Sequence, residues 1–147
     1  MAVRVFTIGF TQTSAENFFE RLLRSHVRKV VDVRLHNTSQ LAGFAKADDL
    51  AYVLKKIGGI EFVHQPILAP TDAMLKEYKK KKGDWSLYEQ RFVSLMSERR
   101  IESQFKAEML DGACFLCSEA VPECCHRRLV CEYLNNKWNN ALDVTHL

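Results

Sequence analysis

Five short apolar runs, rich in β-branched and aromatic residues, recur along this chain, separated by segments whose apolar residues repeat at helical spacing. That alternation constrains the fold more than any other feature. The runs are Val3 to Ile8, closed by Gly9; Lys29 to Arg34, containing Val30-Val31-Asp32-Val33; Ile60 to His64, ended by Pro66; Ala113 to Cys117; and Leu142 to His146. Each has the length and composition of a strand. The first intervening helix opens at Thr13-Ser14-Ala15-Glu16, which resembles a capping box, and carries Phe18, Phe19, Leu22 and Leu23. Asp48 and Asp49 open a second, with Leu50, Val53, Leu54 and Ile57 on its apolar face and Gly58-Gly59 as its stop. A helical excursion precedes the fourth strand. In it Thr71 caps a segment ending in Lys79-Lys80-Lys81-Lys82-Gly83, and Ser86-Leu87-Tyr88-Glu89 caps a longer one carrying Phe92, Leu95 and Met96. Ser103 to Leu110 adds a short turn, and a last helix runs from Pro122 to about Asn135.

Strands alternating with helices predict an α/β fold, a three-layer Rossmann-like domain with a largely parallel five-stranded sheet and helices on both faces. A chain of 147 residues suits one such domain over 1–147, with a real core and no linker or repeat to divide it. Right-handed crossovers restrict the topology and suggest the strand order three-two-one-four-five. Ligands of such sheets bind beyond the carboxyl ends of the strands, where the order reverses. That places a crevice between the first and fourth strands, where Gly9-Phe10-Thr11 meets the Cys117 to Arg127 stretch. Asp32, Arg34 and His64 end neighbouring strands on the same rim.

The chemistry concentrates in Cys117-Ser118-Glu119-Ala120-Val121-Pro122-Glu123-Cys124-Cys125-His126-Arg127, at the junction of a strand and a helix. A thiol at a helix N-terminus beside a guanidinium feels two influences that favour thiolate. Cys125 is therefore a candidate nucleophile with His126 as proton partner, and Cys117, at the strand end, is its rival. Glu119 is the candidate general acid or base, or else the group that orients His126. On the helix, Leu129, Val130, Tyr133 and Leu134 define the buried stripe, with His126 near its middle, Cys125 and Arg127 flanking it, and Cys131 pointing sideways or outward. The same residues also admit a purely structural reading, in which Cys117 is a small core residue, Glu119 pairs with Arg127, and His126 caps the strand ends.

Other groups fit a ligand site. Asp32 and Arg34 fall on one face at a strand end, where they either share an anionic ligand or close the sheet as a local ion pair. Thr7, Gly9, Thr11, Thr13 and Ser14 make a hydroxyl-rich loop before a helix, suited to a phosphate, although capping alone explains Thr13 and Ser14. His64 sits within reach of the rim. Cys114 and Cys117, three residues apart on a strand, face opposite sides of the sheet, so they do not chelate as a pair. No metal site and no cofactor are expected. The lysine run, with Trp85 and Tyr88 near it, leaves nucleic acid open as a partner, yet four lysines at a helix end are also a simple complement to its dipole.

The formal charge of +3 permits anionic ligands but does not by itself argue for nucleic acid. No apolar run has the length of a membrane span, and the first residues lack a signal-peptide pattern. Five cysteines cannot all pair internally, and they are read as reduced thiols of a cytoplasmic protein.

Nearly end to end, the chain resembles the uncharacterised family known as domain of unknown function four-eight-eight. The resemblance lies in Thr7-Ile8-Gly9, Val31-Asp32-Val33-Arg34, Ser39-Gln40-Leu41-Ala42-Gly43-Phe44, Leu68-Ala69-Pro70-Thr71, and the pattern of Cys117, Glu119, Pro122, Cys125, His126 and Arg127. It implies that these last six residues are the family's site, with Cys124 outside it. Many relatives carry histidine after Thr-Ile-Gly, where this chain has Phe10. Two functions are expected. The first is a small enzyme acting on an anionic or polar substrate, with thiol-dependent transferase or hydrolase-like chemistry. The alternative is a non-catalytic nucleotide- or nucleic-acid-binding module.

Overall fold

The computed structural model describes residues 3–37, 43–80, 85–117 and 126–147. Its five strands are β1 (Val3–Gly9), β2 (Lys29–Asp32), β3 (Glu61–His64), β4 (Ala113–Cys117) and β5 (Leu142–His146). Its helices are α1 (Ala15–Arg24), α2 (Ala47–Gly58), α3 (Asp72–Lys80), α4 (Trp85–Arg99) and α5 (His126–Lys137). Short 3-10 turns at Ile101–Ser103 and Ala107–Leu110 occupy the stretch where one turn of helix is expected. Expected features at Pro122 and at Lys81, Lys82 and Gly83 lie outside the described residues.

All strand pairings are parallel, in the order β3-β2-β4-β1-β5. The expected order three-two-one-four-five is thus corrected: β4, not β1, pairs with β2, Val31 lying opposite Phe115. Both orders satisfy right-handed crossovers. What selects between them is burial. A strand in the middle of a three-layer sheet needs apolar residues on both faces, and Ala113-Cys114-Phe115-Leu116-Cys117 is buried at every position.

Side-chain alternation then divides the core into two layers. Phe6, Ile8, Val30, Cys114 and Leu116 pack under Phe18 and Leu22 of α1 and Leu50 and Leu54 of α2. Val5, Val31, Ala113, Phe115 and Cys117 pack under Phe92 and Met96 of α4 and Leu129, Val130 and Leu134 of α5. Cys114 and Cys117 do face opposite sides, as their spacing predicts. Cys131 does not point outward: it is buried with the second layer.

Local chemistry sets the element ends. Ser14, rather than Thr13, caps α1, its Oγ accepting from Asn17 N at 3.0 Å, while Thr13 Oγ1 takes the Asn17 side-chain amide at 2.9 Å. Gly59, at φ 62°, ends α2 in the left-handed conformation that glycine adopts without penalty. Thr71 caps α3 through Met74 N at 3.2 Å. Arg99 of α4 donates from Nη1 to the carbonyls of Ile67 and Ala69, both at 2.7 Å, and so ties the connection after β3 to the second layer. Among the described residues, no helix is long and apolar enough to cross a membrane.

Phe18 is fully buried and meets the rings of Phe19 and Phe44 at 5.1 and 5.3 Å. Phe18→Ala is expected to cost about 3–5 kcal/mol in urea unfolding, whereas Tyr52→Ala, at a position 64% exposed, should change stability by no more than about 0.5 kcal/mol.

Candidate functional site

The chain leaves β2 toward the β3 edge and leaves β4 toward the β5 edge, so the loops after these adjacent strands diverge. The reversal point is therefore between β2 and β4, not between β1 and β4 as the expected order placed it. β1 lies on the far side of β4, with Gly9 in register with Cys117.

Strand β2 stops two residues earlier than its composition suggests, and Asp32 is the reason. Its buried carboxylate accepts from Arg34 N at 3.0 Å and Arg34 Nε at 2.8 Å on one oxygen, and from Arg34 Nη2 at 2.7 Å and Asn37 Nδ2 at 3.0 Å on the other. Capturing the Arg34 backbone N–H turns the chain out of the sheet, while Val33 N still reaches Leu116 O of β4 at 3.0 Å. The fork of two parallel N–H···O bonds is the strong form of this pair. The Arg34 guanidinium lies 5.2 Å from the centroid of the Phe10 ring, a cation–π contact. Its Nη1 is buried with no hydrogen-bond partner among the described residues. Asn37 was not among the expected site residues; nothing in its spacing from Asp32 distinguishes it from an ordinary loop asparagine.

Two imidazoles from different elements take the carbonyls that this turn frees. His126, the first residue of α5, donates from Nε2 to Val33 O at 2.7 Å, and His64, at the end of β3, donates from Nε2 to Arg34 O at 2.7 Å. The His126 ring also packs on Phe92, centroids 5.4 Å apart. Burial pushes the His126 pKa down to about 4, against the weaker upward pull of its bond to Val33 O. It is thus neutral near pH 7, with its proton on Nε2 and Nδ1 left as an acceptor.

Behind it on α5, Arg127 is fully buried, and its Nη1 lies 4.0 Å from Cys117 Sγ at the tip of β4. Cys117 is disulfide-bonded, which corrects the expectation that every thiol is reduced; Cys114 and Cys131 are free and buried. Burial pushes Cys131 up to about 12 and raises Cys114 as well, so neither is a nucleophile in the folded chain.

The structure thus brings Asp32, Arg34, His64, His126, Arg127 and Cys117 to the β2–β4 ends. Glu119 and Cys125 lie outside the described residues. Thr7 is placed elsewhere: it is buried inside β1 and shares a 2.6 Å hydrogen bond with His146 Nδ1 of β5. Gly9 is buried beside Cys117, and Thr11 is exposed in the turn before α1. Among the described residues, no group of three or more His, Cys, Asp or Glu side chains could hold a metal ion. Tyr88 is buried and stacks on Trp85, centroids 5.1 Å apart, so these rings serve each other within the fold.

With fold and site in place, the chain can be assigned to a class. It belongs to the family described as Domain of unknown function DUF488, whose model matches residues 14–134. No curated protein and no solved structure matches it.

Because the folded-state pKa of His126 lies below its ordinary 6.5, unfolding takes up a proton between the two values. Its contribution to stability is fully present above about pH 6.5 and is lost as pH falls toward about 4. His126→Gln is expected to flatten the acid limb of the stability profile over this window; chemical denaturation of both proteins at stepped pH measures the difference.

Proposed function

We propose that this protein is a small thiol-dependent enzyme acting on an anionic or polar substrate at the carboxyl edge of the sheet, where β2 and β4 part. The chemistry is transferase- or hydrolase-like. Cys117 or Cys125 supplies the sulfur nucleophile. Arg34 and Arg127 attract the substrate's negative charge, and Asp32 holds Arg34 in register. A neutral imidazole with a strongly depressed pKa is a poor general base near neutral pH. Proton transfer therefore falls chiefly to Glu119, with His126 positioning the rim and offering Nδ1 as an acceptor.

The observation that carries this reading is the Arg127 guanidinium, fully buried with Nη1 4.0 Å from a sulfur. Beside a thiolate, that positive charge stabilises the nucleophilic form. The reading applies to the reduced chain, since a sulfur held in a disulfide is not available as thiolate. The Nη1 of Arg34, which has no hydrogen-bond partner among the described residues, supports it further, as a donor on a guanidinium already oriented by Asp32.

The test is alkylation of the reduced, folded protein by iodoacetamide from about pH 5 to about pH 9, with the modified cysteine mapped by mass. One thiol at the site should react with an apparent pKa at least about one unit below the roughly 8.5 of a free cysteine, and Arg127→Met should raise that value by about one unit. Reaction of every thiol only after unfolding would leave the cluster a structural one.

A further inference from the structure

We propose that Arg34 is the recognition point for a single carboxylate, so that the substrate of this site is a monocarboxylate rather than a phosphate monoester. This inference rests on the thiol-dependent reading above and adds to it the chemical class of the anion.

A guanidinium is a planar fork that can offer paired N–H groups along more than one edge. Asp32 occupies the side-on edge of Arg34, taking Nε on Oδ1 at 2.8 Å and Nη2 on Oδ2 at 2.7 Å. The end-on edge consists of Nη1 and the second N–H of Nη2. Nη1 is buried and meets no acceptor among the described residues, in a side chain only 3% exposed. A buried donor without an acceptor is disfavoured. This one cannot swing away to find another, because Asp32 fixes the fork and the Phe10 ring lies against it, 5.2 Å from centroid to guanidinium carbon. The end-on edge is therefore held in place, and its two parallel N–H groups match the two oxygens of a carboxylate.

Charge decides between anions. Asp32 neutralises Arg34 where it sits, and the Asn37 amide and Phe10 ring beside the pair carry no charge. Arg127, the second buried cation of the rim, faces Cys117 in the opposite layer. A ligand at the end-on edge thus meets two good donors with little net positive charge behind them. A monocarboxylate gains two charge-assisted hydrogen bonds there and brings one negative charge out of water. A phosphate monoester brings close to two, its desolvation rises with the square of the charge, and Asp32 repels it across the guanidinium. Its third oxygen also lacks a donor, since the Arg34 backbone N–H and the Asn37 amide are turned to Asp32. The wall is dry as well: Phe10 is buried and meets Phe44 edge to face, centroids 6.5 Å apart.

The full-length protein, titrated near neutral pH and at constant ionic strength with sodium acetate or sodium phosphate, reports binding through the nitrogen–proton NMR signal of Arg34 Nε. Acetate should shift that signal saturably, with half-saturation on the order of millimolar. Phosphate should need about tenfold more, because its second charge must also leave water. In Asp32→Asn, which unmasks the guanidinium's charge, the preference for acetate should disappear. Phosphate saturating the wild type at an equal or lower concentration, no saturable shift with either anion, or a preference unchanged in Asp32→Asn would overturn the proposal. If Asp32→Asn does not fold, the two wild-type titrations decide alone. No cysteine takes part in this measurement. Acetate binding by a chain whose thiols are all inert would uphold carboxylate recognition and defeat the thiol-dependent reading; a low-pKa thiol without acetate binding would do the reverse.

Discussion

The Asp32 carboxylate, receiving four N–H donors in a site closed to water, is the interaction on which the rest of the rim depends. An isolated buried carboxylate would be prohibitively costly, and so would the guanidinium beside it; together, and fully hydrogen-bonded on the carboxylate side, they become tolerable. The consequence is geometric. By taking the Arg34 N–H, Asp32 ends β2 and turns out the carbonyls of Val33 and Arg34, which then accept from His126 of α5 and His64 of β3. One carboxylate thereby coordinates a strand end, a helix start and a neighbouring strand. Buried backbone acceptors need partners, and here the partners are two imidazoles, His126 and His64.

The second determinant is the position of β4. Its insertion between β2 and β1 moves the topological reversal next to Asp32 and sets Cys117 at the same edge. The two chemical groups nonetheless belong to opposite layers. Asp32 follows the alternation of Val30, on the α1–α2 side, whereas Cys117 and Arg127 lie on the α4–α5 side. His126 joins them through its bond to Val33 O, across the end of the sheet.

Much of the architecture was legible because it rests on local periodicity. β-Branched runs, helical spacing of Phe18 and Leu22, and the Gly59 stop each report an element without reference to its neighbours. Strand order was not, since it depends on which apolar faces pair at long range, and Val31 could oppose a residue of either central strand. The clue was present in β4, whose unbroken apolar run fits the middle of the sheet better than Val3-Arg4-Val5, where a charge interrupts. At the site, alternation correctly put Asp32 and Arg34 together. Asn37 was invisible because its role depends on a loop path, and the burial of Cys131 because a one-residue error in helical phase turns a lateral position inward. The disulfide at Cys117 could not be read from composition, which gives the number of thiols and not their state.

The central claim is that Asp32 organises the imidazoles through the backbone, and long-range nitrogen–proton NMR of the histidine side chains in folded Asp32→Asn measures that most directly. The wild type at neutral pH should show both His64 and His126 with the proton held on Nε2 and protected from exchange, as their bonds to Arg34 O and Val33 O require. In Asp32→Asn both rings should lose that protection and populate both tautomers. Imidazole spectra unchanged by the substitution would contradict the account, because the rim would then be holding its shape without the carboxylate.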